Sequence, residues 1–129
     1  AKLNCDGCHI GQKDLSIQQT KQIMKSNKII GVTCHNSKEL ALSAEKYGAS
    51  YLAFGSFFKT KTKKTKFKAG PKLLQWAHKN LKTPVVAIGG INEENYKLLL
   101  QNGAKYIACS SYIWKNSKYN PLKALNQLK

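Results

Sequence analysis

The first residues that could do chemistry are two thiols and an imidazole in the segment CDGCHIGQKDL, residues 5–15. Cys5, Cys8 and His9 form a C-x-x-C-H pattern, through which haem is attached to c-type cytochromes. Attachment requires both thiols and the imidazole around one macrocycle, but residues three apart on an extended strand point to opposite faces. We therefore interpret the pattern as a coincidence, expect no haem, and expect Cys8 to pack against helices.

The lysines are a second group of residues that could take part in binding or chemistry. The chain has 22 basic residues, all of them lysine, and six acidic ones, which gives a net charge of +16. The densest run, KTKTKKTKFK over Lys59 to Lys68, lacks apolar periodicity and predicts an exposed loop that attracts phosphate. The absence of arginine, whose planar guanidinium is suited to reading bases, argues against nucleic-acid binding. A lysine-rich nucleic-acid-binding domain stays open as an alternative.

Short apolar runs that alternate with helical stretches predict the elements that position these residues. The runs are CHI, IIGVT, YLAFG, VVAIGG and YIACSS, and they predict five strands alternating with five helices. Strands this apolar need cover on both faces, which indicates a parallel α/β sheet. A G-x-G-x-x-G segment does not follow any predicted strand, so a dinucleotide site lacks support. An open doubly wound sheet and part of a (β/α) barrel remain as architectures.

Polar residues mark where two of the predicted helices begin. Ser16 and Gln19 have the spacing of a capping box, in which each side chain accepts a hydrogen bond from the other residue's backbone N–H. Asn92 has the type expected at a second N-cap, where Glu93 and Glu94 would occupy the positive end of the helix dipole. Both signals predict helices that directly follow the segments at strand ends.

Length and composition limit the class of protein. The 129 residues predict one domain, and 42% hydrophobic residues suffice for a core that does not depend on disulfides between the four cysteines. Apolar runs of about eighteen residues, which could span a bilayer, are lacking. We expect a cytoplasmic protein without membrane contact.

Because the chain enters a strand within a few residues of Ala1, we also expect it to be a piece of something longer.

The carboxyl ends of the predicted strands carry the residues for chemistry in either architecture. Small residues after the last two strands would let backbone N–H groups approach an anion; these are Gly89, Gly90, Ser110 and Ser111. The lysine loop and the Asp14 carboxylate belong to the same rim, and carboxylate oxygen is a preferred ligand of magnesium. Together they indicate a substrate with phosphate groups.

Five segments in the same order resemble the thiamine phosphate synthase family: DGCHIGQKDL, IIGVTCHN, FGSFFKTKTKK, PVVAIGGIN and the segment from Gly103 to Ser111. The resemblance implies a (β/α)8 TIM barrel, of which residues 1–129 would be units four to eight, with the first three units absent. It implies a transferase that couples hydroxymethylpyrimidine diphosphate with thiazole phosphate to give thiamine phosphate and pyrophosphate. It also implies Mg²⁺ as the cofactor.

The resemblance assigns roles to individual residues. Asp14 would be a magnesium ligand, and Thr33 and Lys63 would hold the pyrimidine diphosphate and carry the catalytic contacts. His9 would lie at the edge of the site, either as a polar liner or as a proton acceptor. The residues implied for thiazole phosphate are Thr60, Lys61, Thr62, Gly90, Ser110 and Ser111.

The partners implied are the two small-molecule substrates, without nucleic acid. In this family the absent units supply residues that bind the pyrimidine, and they also supply a further magnesium ligand. We therefore expect the 129 residues alone to bind thiazole phosphate at most. A synthase-like paralogue that binds thiazole or thiamine phosphate without coupling remains an alternative. A sugar-phosphate barrel enzyme would share the glycines and serines that approach a phosphate after the last two strands, but it would not require the TKTKK segment.

Overall fold

The computed structural model describes residues 5–24, 27–60 and 66–129, which form one parallel sheet with helices between its strands. The strands are β1 (Gly7–Ile10), β2 (Ile29–His35), β3 (Tyr51–Gly55), β4 (Val85–Ile88) and β5 (Tyr106–Ala108). The helices are α1 (Ile17–Met24), α2 (Lys38–Lys46), α3 (Pro71–Asn80), α4 (Tyr96–Gln101), α5 (Ser111–Trp114) and α6 (Pro121–Asn126). The prediction of a parallel α/β sheet of five strands is confirmed.

The order of the strands in the sheet is the order of the strands in the chain, β1-β2-β3-β4-β5, and each neighbouring pair is parallel. A doubly wound sheet reverses its winding direction at a switch point. Over the described strands this sheet does not reverse, and every carboxyl end lies at one edge. Residues that follow the five strands therefore meet at a single edge of the sheet.

The two faces of the sheet differ in burial. One face packs against the helices and forms the core, whose members include Ile30, Val32, Leu52, Phe54, Leu74, Ala77 and Leu99. On the other face, cross-strand pairing places Thr33, Ala53, Val86 and Tyr106 in one row. Tyr106 is 55% exposed on this face, and Ile88 is 45% exposed. Among the described residues, the sheet thus has one helix-covered face and one helix-free face.

The capping box predicted at the start of α1 is present. The Ser16 hydroxyl accepts a hydrogen bond from the Gln19 N–H at 3.2 Å, and Gln19 Oε1 accepts one from the Ser16 N–H at 3.0 Å. These bonds satisfy two backbone donors that the first turn of a helix leaves without intrahelical partners. The helix accordingly begins at Ile17.

The predicted start of the fourth helix at Asn92 is wrong. Asn92 Oδ1 accepts a hydrogen bond from the Glu94 N–H at 3.0 Å, and Asn95 Oδ1 accepts one from the Asn92 N–H at 2.9 Å. Asparagine side chains that bond to nearby backbone in this way compete with helix formation. Residues 93–95 therefore form a turn, and α4 begins at Tyr96.

Two further features complete the fold. The segment Ser111–Trp114 forms a short helix between β5 and α6, so the described residues contain six helices where the sequence predicts five. Within the described ranges, none of these helices has the length and apolarity needed to cross a bilayer.

Candidate functional site

The carboxyl ends of the strands surround one cleft of about 1110 Å³. Every strand or the segment after it contributes lining residues, as expected for the edge of a parallel sheet where all five strands end. Polar lining residues include Gln12, Asp14, Thr33, His35, Asn36, Ser56, Thr60, Lys66, Ser110 and Ser111. The cleft is large enough for a ligand the size of a typical enzyme substrate.

Six of the predicted site residues line this cleft together: Asp14, Thr33, Thr60, Gly90, Ser110 and Ser111. His9 does not line it, but its ring lies within hydrogen-bonding distance of Thr33. Lys61, Thr62 and Lys63 lie outside the described residues. The two described residues that flank the range 61–65, Thr60 and Lys66, both line the cleft. The roles of these residues stay predictions.

The Asp14 carboxylate lies on the rim of the cleft, in the segment after β1. Its Oδ2 accepts a hydrogen bond of 2.7 Å from the Gly11 N–H, and the Asp14 N–H donates in return to the Gly11 carbonyl at 3.2 Å. These two bonds fix the turn that presents the side chain. Among the described residues that line the cleft, Asp14 is the one carboxylate.

The donor set at Asp14 fits magnesium in part. A carboxylate oxygen is a hard ligand, and protein magnesium sites commonly combine one or two carboxylates with phosphate oxygens of the substrate and with water. A group of three or more histidine, cysteine or acidic side chains that could hold a metal does not occur in the described part of the chain. Asp14 would therefore hold Mg²⁺ together with a phosphorylated ligand rather than in a site made of protein groups alone.

Gly89 and Gly90 let the segment after β3 approach the end of β4 closely. They adopt φ values of +104° and +68°, and a Cβ atom on Gly90 would lie 2.5 Å from the Lys59 carbonyl oxygen. The Phe58 N–H also donates a hydrogen bond of 3.0 Å to the Gly89 carbonyl. Side chains would block this approach, so the glycines bring Thr60 beside the end of β4.

Backbone donors near the ends of β4 and β5 are available to a ligand. The N–H groups of Gly90 and Ser110 have no acceptor among the residues that the structure describes. Backbone N–H groups that converge from two segments form a favourable environment for a phosphate group. The cleft thus combines backbone donors at one side with the Asp14 carboxylate at the other.

The residues on either side of the lysine-rich segment are held against neighbouring strands. The Ser56 N–H donates to the Phe67 carbonyl at 3.2 Å, and the Ala69 N–H donates to the Ser56 carbonyl at 2.9 Å. The His35 and Phe67 rings stack with centroids 4.0 Å apart, which joins this segment to the end of β2. The entry to and exit from the lysine run are therefore fixed at the cleft.

His9 joins three strands on the helix-free face. Its Nδ1 lies 3.0 Å from the Tyr51 hydroxyl oxygen and its Nε2 lies 2.7 Å from Thr33 Oγ1. Burial lowers the pKa of His9, and the negative charge of Asp14 opposes this effect only in part. The imidazole is therefore mostly neutral at pH 7 and carries one ring proton.

Sequence reasoning missed two residues of this region. Tyr51 received no role, although alternation along β3 places it on the face of Ala53 and Gly55, the side of the sheet with Thr33. The sequence pattern assigns no role to His35, which lines the cleft and stacks on Phe67. Strand alternation could have identified Tyr51, whereas the contact of His35 with Phe67 joins the last residue of β2 to a loop 32 residues later and has no local signal.

The C-x-x-C-H segment is divided between the two faces of the sheet. Cys8 packs against the hydrophobic core, as predicted, whereas His9 contacts Thr33 on the helix-free face. The thiol and the imidazole therefore do not face one common ligand. A second thiol, Cys109, lines the cleft, but burial raises its pKa, so it is a protonated thiol rather than a nucleophile at neutral pH.

Comparison with known protein families and sequences gives consistent matches. The family model described as thiamine monophosphate synthase matches residues 1–113. A thiamine-phosphate synthase of Pelagibacter ubique is 55% identical over 128 residues, which is 99% of this chain and 61% of that protein. A thiamine-phosphate synthase of Rhodospirillum centenum is 42% identical over 116 residues, 90% of this chain and 56% of that protein.

Solved structures give the same relationship. A thiamine phosphate pyrophosphorylase from Pyrococcus furiosus superposes with a TM-score of 0.85 at 36% identity, over 98% of this chain and 58% of that one. A 3-hexulose-6-phosphate synthase superposes with a TM-score of 0.67 at 16% identity, which is a likeness of fold alone. The chain spans about three fifths of the length of these relatives.

Proposed function

Because the chain belongs to the thiamine monophosphate synthase family, we propose that it forms the phosphate-binding part of an enzyme that couples hydroxymethylpyrimidine diphosphate with thiazole phosphate. The products are thiamine phosphate and pyrophosphate. The observation that carries the proposal is the convergence of Asp14, Thr33, Thr60, Gly90 and Ser110 on one cleft. These residues come from five different strand ends, and the family assignment predicts that they hold the phosphorylated substrates, Asp14 through a magnesium ion.

In this proposal the two sides of the cleft bind different phosphate groups. The backbone N–H groups of Gly90 and Ser110, together with Thr60, bind the phosphate of the thiazole. The Thr33 hydroxyl contacts the diphosphate of the pyrimidine. The cationic side chains of Lys13 and Lys66 on the rim add attraction for both anions. Binding at the two sides would place the substrates next to each other, and positioning is the protein's main contribution to such a reaction.

Asp14 is the residue that would hold Mg²⁺, through its carboxylate and with the diphosphate as a second source of ligands. When bound, the metal would supply positive charge that stabilises the departing pyrophosphate. The Gly11 N–H holds Oδ2 of Asp14 in place by its 2.7 Å hydrogen bond. Lys63, outside the described residues, is the proposed cationic contact to the same pyrophosphate.

The sheet is proposed to be five of the eight strands of a (β/α)8 barrel. Its winding order without reversal, the exposed apolar side chains Ile88 and Tyr106 on the helix-free face, and relatives that are longer than this chain support the proposal. Units four to eight would then lie within residues 1–129. The proposed cytoplasmic location follows from the same small, phosphorylated substrates.

The test is a coupling assay with the protein expressed from its whole gene, both substrates and Mg²⁺. Thiamine phosphate is measured by its fluorescent oxidation product and pyrophosphate by an enzyme-linked assay. We expect the two products in equal amounts, and no product when either substrate or the metal is omitted. Variants Asp14→Asn and Thr33→Val should lower the rate, with Asp6→Asn as a control that also removes one carboxylate charge.

Two results would replace the proposal with an alternative. Binding of thiazole phosphate without any coupling would identify a non-catalytic relative. Binding of an oligonucleotide that weakens steeply with salt, without an effect of thiazole phosphate, would identify a nucleic-acid-binding protein. Coupling by the isolated residues 1–129 would contradict the expectation that this part alone does not turn over.

A further inference from the structure

Tyr51 has a position that the proposed chemistry does not explain. It lies at the start of β3, yet its hydroxyl oxygen is 3.0 Å from His9 Nδ1 on β1, on the far side of the intervening strand β2. Residue 31 of β2 is a glycine, and a Cβ atom there would lie 1.9 Å from Tyr51 Cζ. The ring of Tyr51 therefore occupies the space above Gly31, and a glycine at that position permits the contact.

The second nitrogen of His9 leads to the proposed substrate contact. Nε2 lies 2.7 Å from Thr33 Oγ1, and the Thr33 carbonyl accepts a hydrogen bond from the Gln12 side-chain amide. Thr33 is thus held at both its backbone and its hydroxyl. One continuous set of contacts joins Tyr51, His9 and Thr33, and it ends at the cleft.

We propose that Tyr51 is a positioning residue that fixes His9 in the tautomer with its proton on Nε2. In this arrangement the Tyr51 hydroxyl donates to Nδ1, and Nε2–H donates to Thr33 Oγ1. The Thr33 hydroxyl hydrogen is then directed away from His9 and donates to a phosphate oxygen of the bound diphosphate. The last step rests on the proposed function, because it assigns the anion at Thr33.

Relative acidity favours this direction of the hydrogen bonds. A phenol is a stronger hydrogen-bond donor than an aliphatic hydroxyl, so Tyr51 is the better partner for the basic nitrogen of a neutral imidazole. The opposite arrangement would use the Thr33 hydroxyl hydrogen on Nε2 and leave only lone pairs facing the cleft. A fully ionised phosphate oxygen has no proton to donate, so that arrangement would offer it no hydrogen bond.

The first test reads the tautomer directly. In ¹⁵N-histidine-labelled protein, long-range ¹H–¹⁵N correlation distinguishes a protonated ring nitrogen from an unprotonated one, and a His9→Asn variant assigns the signals. We expect His9 with Nε2 protonated in the natural protein, and a mixture of tautomers in Tyr51→Phe. A proton on Nδ1 in the natural protein, or an unchanged tautomer in Tyr51→Phe, would overturn the proposal.

The second test measures affinity for inorganic pyrophosphate with Mg²⁺ by calorimetry. Tyr51→Phe should weaken binding by about three- to tenfold, the usual effect of losing one neutral hydrogen bond. The same change in a Thr33→Val background should have no further effect. Tyr106→Phe is the matched control, because Tyr106 lies on the same face and its hydroxyl makes no hydrogen bond to the described residues.

These outcomes separate the two proposals. If the protein does not couple the two substrates, the proposed function fails, while the tautomer and the pyrophosphate affinity still decide the role of Tyr51. Equal pyrophosphate affinity in Tyr51→Phe and in the natural protein would overturn the positioning role. An additive effect of Tyr51→Phe and Thr33→Val would show that Tyr51 does not act through Thr33 and would also overturn it.

Discussion

The Tyr112 hydroxyl donates a hydrogen bond of 2.9 Å to Glu93 Oε2 and so joins the segment after β5 to the segment after β4. Burial and the hydrogen bond to the Glu93 carboxylate raise the pKa of Tyr112 to about 12, so the phenol remains a donor at neutral pH. Glu93 is also 3.6 Å from the Lys118 ammonium group. The two segments that carry the proposed backbone donors for phosphate, at Gly90 and Ser110, are therefore connected through one side-chain pair.

We predict that Tyr112→Phe weakens the binding of thiazole phosphate by about three- to tenfold, because one hydrogen bond that orients the two segments is lost. Affinity for pyrophosphate should stay within experimental error of the natural protein. Calorimetric titration with each ligand measures both effects. Tyr106→Phe, which removes a phenol from β5 itself, is the control, and equal affinity of Tyr112→Phe and Tyr106→Phe for thiazole phosphate would contradict the prediction.

Gly90 tests the close approach of the two loops. Gly90→Ala should lower the free energy of unfolding by about 1–2 kcal/mol, since alanine disfavours the positive φ of +68°, and the 2.5 Å contact with Lys59 adds to this. Thiazole phosphate binding should fall as the loop is displaced. Both are measured on one sample, by urea unfolding and by titration.

Gly70→Ala provides the matched control for Gly90→Ala. Gly70 has a φ of −135°, and a Cβ atom there would meet no heavy atom within 4 Å. We expect its ligand affinity to equal that of the natural protein and its unfolding free energy to change by less than about 1 kcal/mol, because alanine is a poorer N-cap for α3 than glycine but also narrows the unfolded ensemble. Normal ligand binding by Gly90→Ala would refute the role given to this glycine.

Much of this fold could be predicted from the sequence, because strands and caps have local signals. The five apolar runs correspond to the five strands, and Ser16 and Gln19 form the expected capping box. The predicted start at Asn92 was wrong because the Asn92 side chain accepts from the Glu94 N–H and the Asn95 side chain accepts from the Asn92 N–H, and these bonds close a turn over residues 93–95 before the helix. Two asparagines three residues apart are compatible with a helix that begins at Asn92 and with a turn that precedes the helix, and the sequence alone does not decide between the two.

The candidate site could be predicted only in part. Residues at strand ends, such as Asp14 and Thr33, were found because all strand ends of a parallel sheet meet at one edge. Tyr51 was missed because its contact with His9 is possible only where residue 31 is a glycine, which leaves space for the Tyr51 ring. That is a relationship among three strands, and local patterns along one strand do not contain it.

Glu45 gives a prediction about stability and pH. Its Oε2 accepts hydrogen bonds from the backbone N–H groups of Lys82 at 2.9 Å and Thr83 at 2.6 Å, just before β4. Burial opposes the charge and would raise the pKa of Glu45, but these bonds outweigh it and leave the pKa below the ordinary value of 4.5. The carboxylate thus stabilises the fold above about pH 4.5, and this contribution is lost as the pH falls through the lowered pKa.

We therefore expect Glu45→Gln to lower the free energy of unfolding by about 1 kcal/mol at pH 7. The difference from the natural protein should shrink as the pH falls below 4.5. Urea unfolding between pH 3 and pH 7, where the chain remains folded, measures both. Glu94→Gln is the control with the same change of charge, and a constant difference across the pH range would contradict the account.

Asp14 tests the proposed metal site. Asp14→Asn keeps the side-chain acceptor for the Gly11 N–H but removes the charge, so the turn should persist while divalent-metal affinity falls on the order of a hundredfold. Mn²⁺ binding in the presence of pyrophosphate, followed by electron paramagnetic resonance, gives a readout independent of turnover. Asp6→Asn should bind Mn²⁺ normally, and normal binding by Asp14→Asn as well would remove Asp14 as a ligand.

The central claim is that phosphorylated substrates bind where the five strands end, and a crystal structure of the protein with thiazole phosphate tests it most directly. The account predicts phosphate oxygens within about 2.7–3.2 Å of the backbone N–H groups of Gly90 and of Ser110 or Ser111, with Thr60 at the same phosphate. A phosphate bound elsewhere on the molecule, with this cleft occupied by solvent alone, would contradict it.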